Sequence, residues 1–196
     1  MKKARGICIA LCLVCTCFLL TNCEEDTRYT IEQNQQIIFH YSYENYATGY
    51  QFYGWCIDKE GVVWELDAPL HWNDEIQNII DEGSSEFWYD QDSIDTMYST
   101  SVGNSMGKIR NAELEDKISL VKDIINDDYS VPINQMADAG SVVYGFLSYD
   151  KGLNQYQRVV LELTGDWHST LQDEYAEELT QWLRKIQKDI GYPDFK

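Results

Sequence analysis

Residues 37–66, IIFHYSYENYATGYQFYGWCIDKEGVVWEL, carry three short apolar runs separated by turn residues. In residues 37–43 the rings of Phe39, Tyr41 and Tyr43 fall on one side of an extended chain, because successive strand side chains point to opposite faces. Gly49 interrupts the pattern. Residues 50–58 read as a second strand and residues 62–66 as a third, joined across Asp58-Lys59-Glu60-Gly61. Gly61 supplies the positive φ that closes such a hairpin. Pro69 ends the pattern. The stretch predicts a three-stranded antiparallel meander, rich in the aromatic and β-branched residues that suit a pleated, half-buried surface.

Downstream the apolar spacing changes from two to between three and four, the period of a helix face. Asn73 or Asp74 caps a predicted helix with Ile76, Ile79 and Ile80 on one side, stopped by Gly83. Ile94, Met97 and Tyr98 keep helical spacing in a looser segment, with Asp92 or Ser93 as its cap. Residues 99–107, rich in Ser, Gly and Asn, read as a flexible loop. Asn111 caps a stronger helix bearing Leu114, Ile118, Val121 and Ile125, with Glu113, Glu115 and Asp116 in its first turn, where the helix dipole favours negative charge. Residues 126–140 look irregular.

Residues 142–149 and 156–164 form a second hairpin across residues 150–154. In the last helix Ser169-Thr170-Leu171-Gln172 fits a capping box, and Leu171, Tyr175, Leu179, Trp182, Leu183 and Ile186 form the apolar stripe. Arg184, Lys185 and Lys188 suit its carboxyl end, and Gly191 with Pro193 stop it. Five strands in two hairpin or meander units, with helices between and after them, predict an α+β fold. Residues 37–196 make one domain, an antiparallel sheet with the long C-terminal helix packed on one face.

Residues 1–23, MKKARGICIALCLVCTCFLLTNC, differ from everything after them. Lys2, Lys3 and Arg5 precede an uncharged run over residues 6–20, and three acids, Glu24, Glu25 and Asp26, follow Cys23. A basic head, an apolar middle and an abrupt polar boundary read as an export signal. The run falls short of the roughly 20 residues a membrane-spanning helix needs.

Leu20-Thr21-Asn22-Cys23 resembles the lipobox of bacterial lipoproteins, with Asn22 where Gly, Ala or Ser is usual. The resemblance implies that residues 1–22 are removed as a signal peptide. Cys23 then becomes the first residue and carries thioether-linked diacylglycerol, often with a third acyl chain such as palmitate on its amine. It also implies attachment to the cell membrane or the outer membrane, outside the cytoplasm, with residues 23–36 as lipidated residue and polar tether. The acids after Cys23 resemble the export tag of surface-exposed bacterial lipoproteins; the plainer reading is a solvated tether. An ordinary cysteine after a cleaved secretory signal is the alternative for Cys23.

Removing Lys2, Lys3 and Arg5 from 15 cations leaves 12 against 33 acids, a formal charge of −21. That balance repels nucleic acid and anionic headgroups and excludes nucleic acid as a partner. Aromatics at 13% argue for a packed core rather than disorder. Of six cysteines, Cys8, Cys12, Cys15 and Cys17 leave with the leader and Cys23 takes lipid, so Cys56 remains as a buried core thiol with no disulfide to form.

The three histidines, His40, His71 and His168, lack metal-ligand spacing, and no metal or cofactor is implied. Asp90-Gln91-Asp92-Ser93-Ile94-Asp95 lacks the glycine and the distal glutamate of a calcium loop. No phosphate loop, nucleophile elbow or CxxC is present. Asp166, Trp167 and His168 sit at a corner before the last helix, where an acid, an indole and an imidazole would line a pocket or simply make a turn. Aromatics crowd the first meander, Trp55 and Trp64 among Tyr41, Tyr43, Tyr46, Tyr50, Tyr53 and Trp72. Flat rings beside carboxylates serve sugar- or peptide-binding faces, and they also pack sheets.

The candidate ligand-binding residues are therefore Trp55, Trp64, Asp166, Trp167 and His168, with Cys23 for lipid and none for catalysis. Tyr53-Gly54-Trp55-Cys56-Ile57-Asp58 with Gly61 resembles a hairpin of uncharacterised small bacterial lipoproteins, which implies only the envelope assignment. The expectation is a lipid-anchored envelope protein that binds a protein or glycan partner without catalysis. Two alternatives stand beside it: a hydrolase using a carboxylate pair such as Asp166 with another acid, and an acidic partner that shields a basic protein.

Overall fold

The structure, a computed structural model, describes residues 27–47, 49–67, 79–81 and 88–193. The leader, Cys23, His71 and Trp72 lie outside the described residues. So does most of the helix expected after Asn73, of which residues 79–81 are helical with Ile79 buried.

The meander forms as the alternation requires: β1 (Phe39–Asn45), β2 (Gln51–Ile57) and β3 (Val62–Leu66). Asp58 Oδ1 accepts the N–H groups of Glu60 and Val62 at 2.9 and 2.8 Å, and Gly61 takes φ +76°, so the turn is built by side chain and glycine together. The chain continues through β4 (Trp88–Tyr89), α1 (Gln91–Ser101), β5 (Val102–Lys108), α2 (Asn111–Asp123) and β6 (Ile133–Asn134). It ends with β7 (Ser141–Asp150), β8 (Gln155–Gly165), β9 (Trp167–Thr170) and α3 (Glu174–Asp189). The sheet order is β5-β3-β2-β1-β7-β8-β9-β6, with β4 on β8, and every pairing between these strands is antiparallel.

The α+β class holds, but the sheet has nine strands where the sequence predicts five. The end of α1 and strand β5 replace the flexible loop expected at 99–107. The glycines and serine of β5 carry little strand propensity, yet backbone pairing with β3, through two register shifts, holds it at the sheet edge. Strand β9 replaces the expected capping box. Ser169 is buried in the strand and its hydroxyl donates to Ser130 O at 2.9 Å, while Asp173 caps α3 by accepting the Tyr175 N–H at 2.9 Å.

Caps elsewhere shift by one to three residues. Asp90, not Asp92 or Ser93, caps α1, and Arg110 precedes α2 without a side-chain cap. Because α2 stops at Asp123, Ile124 is buried in place of Ile125, which faces outward.

Each face of the sheet is covered. On one, Phe39, Tyr41, Trp55 and Phe146 pack under α3, whose Leu179, Trp182, Leu183 and Ile186 are buried. Trp182 meets Phe39 edge-on at 5.2 Å and donates its indole N–H to Glu113 Oε1 at 3.0 Å, locking α2 beside α3. A fully buried side chain of this size contributes about 1.5–3 kcal/mol, so this stripe accounts for the strength of the helix signal. On the other face, Ile94 and Met97 of α1 cover Cys56, Leu66 and Leu147, and Ile79 covers Val143, Val160 and Leu163. Burial, then the Asp58 charge, pushes the Cys56 thiol well above its ordinary value, which leaves it an inert core group.

The packed body begins before Ile37. Tyr29 and Gln35 are buried, and Thr30 accepts the Tyr149 N–H at 2.8 Å, so the segment expected as tether lies against the sheet from Tyr29 onward. Among the described residues no helix is long and apolar enough to cross a membrane.

Candidate functional site

Strand alternation that turns Tyr41 and Tyr43 toward α3 turns His40, Ser42 and Glu44 to the opposite face. Glu44 ends this row at the β1–β2 turn. It is buried, and its Oε2 accepts the hydroxyls of Tyr46 at 3.1 Å and Tyr50 at 3.4 Å. The two rings lie 4.9 Å apart and 40° from parallel, and the residues remain 60% and 48% exposed. Burial of its hydroxyl end, then the Glu44 charge, holds the Tyr50 phenol well above its ordinary value, so it stays a neutral donor. Tyr53 is also exposed and leans on Tyr43 at 6.0 Å. One carboxylate thus fixes two exposed rings at the tip of a hairpin.

The tip is braced by the chain on either side of it. Asn45 Nδ2 donates to Tyr43 Oη at 3.1 Å and to Asp138 O at 3.0 Å. Asp166 Oδ1 accepts the Ala139 N–H at 2.7 Å, and its own N–H donates to Gly140 O at 2.8 Å. Asp166 O accepts the Gln135 N–H at 2.9 Å. The β1–β2 tip, the loop before β7 and the β8–β9 corner therefore share one end of the sheet, where Ile133 and Met136 are exposed as well.

The five ligand-binding residues expected from sequence are not gathered. Trp55 lies in the core, stacked on Tyr41 at 5.6 Å, and is fully buried, because its strand position faces α3. Trp64 sits on the other face and donates its indole N–H to Asp58 Oδ2 at 2.7 Å, finishing the β2–β3 turn. Trp167 packs beside Val143 and Leu163, and His168 stands opposite Ile133 in the β6–β9 pair. Only Asp166 joins the tyrosine end through hydrogen bonds. Sequence reading counted Tyr46, Tyr50 and Tyr53 among many rings but missed Glu44, although a lone acid within an alternating aromatic strand is a signal for such a pairing.

A cleft of about 550 Å³ runs beside the first turns of α3, lined among others by Glu162, Asp173, Glu177 and Arg184. Arg184 Nη2 and Nε reach Glu162 Oε1 and Oε2 at 2.7 and 3.3 Å. Asp173 Oδ2 accepts the Ile125 and Asn126 N–H groups at 3.2 and 3.3 Å in addition to capping the helix. Both carboxylates already serve the fold, Glu162 by pairing with Arg184 and Asp173 by capping α3. Among the described residues no three His, Cys, Asp or Glu side chains gather as a metal site.

A second polar group, Arg158 with His40, lies buried under the α1 side of the sheet. Arg158 Nε donates to His40 Nε2 at 3.2 Å, and Gly145 leaves the room, since a Cβ there would stand 2.7 Å from that nitrogen. Burial, then the Arg158 charge, holds the His40 imidazole well below its ordinary 6.5. The neutral ring therefore supports the fold fully above about pH 6.5, and that support is lost as pH falls through the gap below it, at about 1.4 kcal/mol per pH unit. His40→Gln keeps an acceptor for Arg158 and cannot titrate. Between pH 7 and 5.5 the wild type should lose about 1 kcal/mol more than this variant in urea unfolding. Parallel losses would remove His40 as the cause.

No family model, no curated protein and no solved structure matches this chain, so its function must be argued from this geometry and from the sequence.

Proposed function

We propose that the chain is a lipid-anchored protein of the cell envelope that binds a protein partner, without catalysis, through the tyrosine-bearing end of its sheet. The observation that carries this reading is the Tyr46–Tyr50 pair held by Glu44. Rings already fixed lose little freedom on binding, and tyrosine offers large amphipathic contact area. The exposed aliphatic side chains of Ile133 and Met136 at the same end favour a protein over a glycan, since aromatic rings and methionine are enriched at protein interfaces. The acidic surface would steer a basic partner to this end, with a salt-dependent rate. The anchor is the lipid on Cys23 implied by the lipobox resemblance.

The test is site-specific photocrosslinking in intact envelopes. A crosslinker at Tyr53 should capture one discrete protein, and one at Gln181, exposed on α3, should not. Changing Tyr46 and Tyr50 together to alanine should cut the yield at least tenfold, equivalent to about 1.4 kcal/mol. The same product from both positions, or a yield indifferent to the two rings, would overturn the reading. Capture of cell-wall glycan in place of protein would redirect it to that class.

A further inference from the structure

Exposed large apolar side chains among the described residues collect mostly at opposite ends of the strands. Tyr46, Tyr50, Tyr53, Ile133 and Met136 mark one end, while Trp88, Ile125 and Leu153 lie around the other. The antiparallel pairing of Phe39 with Phe146 and of Glu44 with Ser141 sets the β1–β2 tip at the start of β7 and the β7–β8 turn at its finish. A ten-residue strand separates the two ends by about 33 Å.

The chain enters at the second end, and its path there is fixed. The Thr30 N–H donates to Ser148 Oγ at 3.0 Å, Tyr149 donates back to Thr30 O at 2.8 Å, and buried Tyr29 meets Phe146 edge-on at 5.5 Å. Arg28 pairs with Asp127, which draws the loop carrying Ile125 to the same place. Thr27 and Arg28 share a small groove with Trp88 and Lys151. From Cys23 to Thr27 there are four chain steps, which reach at most about 14 Å.

We infer that this rim, Trp88, Ile125 and Leu153 with Lys151 and Arg28 beside them, rests on the lipid bilayer and fixes the orientation of the body on the membrane. The inference rests on the lipid anchor at Cys23 proposed above. A short link that ends on a pinned segment holds the nearby rim within reach of the headgroups. Leu153 at 57% exposure and Ile125 at 78% gain by entering that interface, and Trp88 is the residue type that settles at headgroup depth. Asp127, paired with Arg28, and Asp150 beside Lys151 offset the two cations, so apolar insertion rather than attraction to anionic lipid holds the contact. The tyrosine end is thereby turned away from the membrane, toward partners.

The experiment uses the full lipidated protein extracted from membranes and returned to vesicles of phosphatidylethanolamine and phosphatidylglycerol. An environment-sensitive label is placed at Leu153→Cys or, at the tyrosine end, at Gln51→Cys; Cys56 is buried and does not compete. Lipid-borne quenchers should quench the label at 153 at least threefold more than the label at 51. Equal quenching, or stronger quenching at 51, would overturn the footprint while leaving the anchor in place. A protein that carries no lipid and stays off the vesicles overturns the anchor reading itself, and the footprint with it.

Discussion

Gly165→Ala lowers the stability of the fold by about 3 kcal/mol or more in urea unfolding, while Gly107→Ala changes it by no more than about 0.5 kcal/mol. Gly165 closes β8 at φ +116°, a conformation that side-chain-bearing residues rarely adopt. A Cβ there would lie 2.2 Å from Gly140 O, and that carbonyl cannot swing aside freely, because the Asp166 N–H holds it at 2.8 Å. Gly140 has no slack to give: a shift toward β1 drives it into Glu44 O, which an added Cβ would meet at 2.5 Å. The backbone strain and the overpacking each contribute about 1–3 kcal/mol. At Gly107, in edge strand β5, a new methyl group meets only Ile190 Cγ2 at 3.7 Å, and φ lies outside the left-handed region. A loss below about 1 kcal/mol for Gly165→Ala would mean that the corner is looser than its contacts require.

The same substitution reaches the proposed binding end. Relieving the clash moves residues 138–140, to which Asn45 is bonded through Asp138 O, and Asn45 in turn orients Tyr43. A variant that still folds should therefore capture the partner less well at Tyr53, although no exposed ring has been changed.

How much of this was legible beforehand depends on what periodicity encodes. Alternation in residues 37–43 predicts a strand with Phe39, Tyr41 and Tyr43 on one face, as found, residues 142–149 fall within β7, and the Asp58–Gly61 turn was readable because its chemistry is local. Edge strand β5 was not, since its ladder depends on a partner in β3, and Gly103, Ser105 and Gly107 carry no strand pattern of their own. The false capping box had a similar cause: Ser169 and Gln172 have the right spacing, but pairing of β9 with β8 takes Ser169 before a helix can. Trp55 and Tyr46 look alike in composition. One is buried because a helix covers its face, and the other is exposed because the hairpin runs past that cover. A rule that assigns residues to faces does not say where the helices stop.

Replacing Cys23 by serine should abolish acylation outright. In cells fed an alkyne analogue of palmitate, the wild-type chain should take up the label and yield a mature amino terminus at Cys23 bearing diacylglycerol, while the Cys23→Ser chain should take up none and keep residues 1–22. The oxygen of serine cannot stand in for the thiolate that forms the thioether, so the expected change is from full labelling to background. The physical consequence follows from chain number: each buried methylene contributes about 0.8 kcal/mol, one acyl chain binds only marginally, and two or three make the attachment effectively permanent. The wild type should accordingly resist extraction by high salt, which releases proteins held by charge, and a body of formal charge −21 has no electrostatic reason to remain on anionic lipid. Label retained by the serine variant, or absent from the wild type, would remove the anchor. Without it, the four chain steps before Thr27 would bring no membrane near Leu153, and the two ends of the sheet would lose their assignment as near and far.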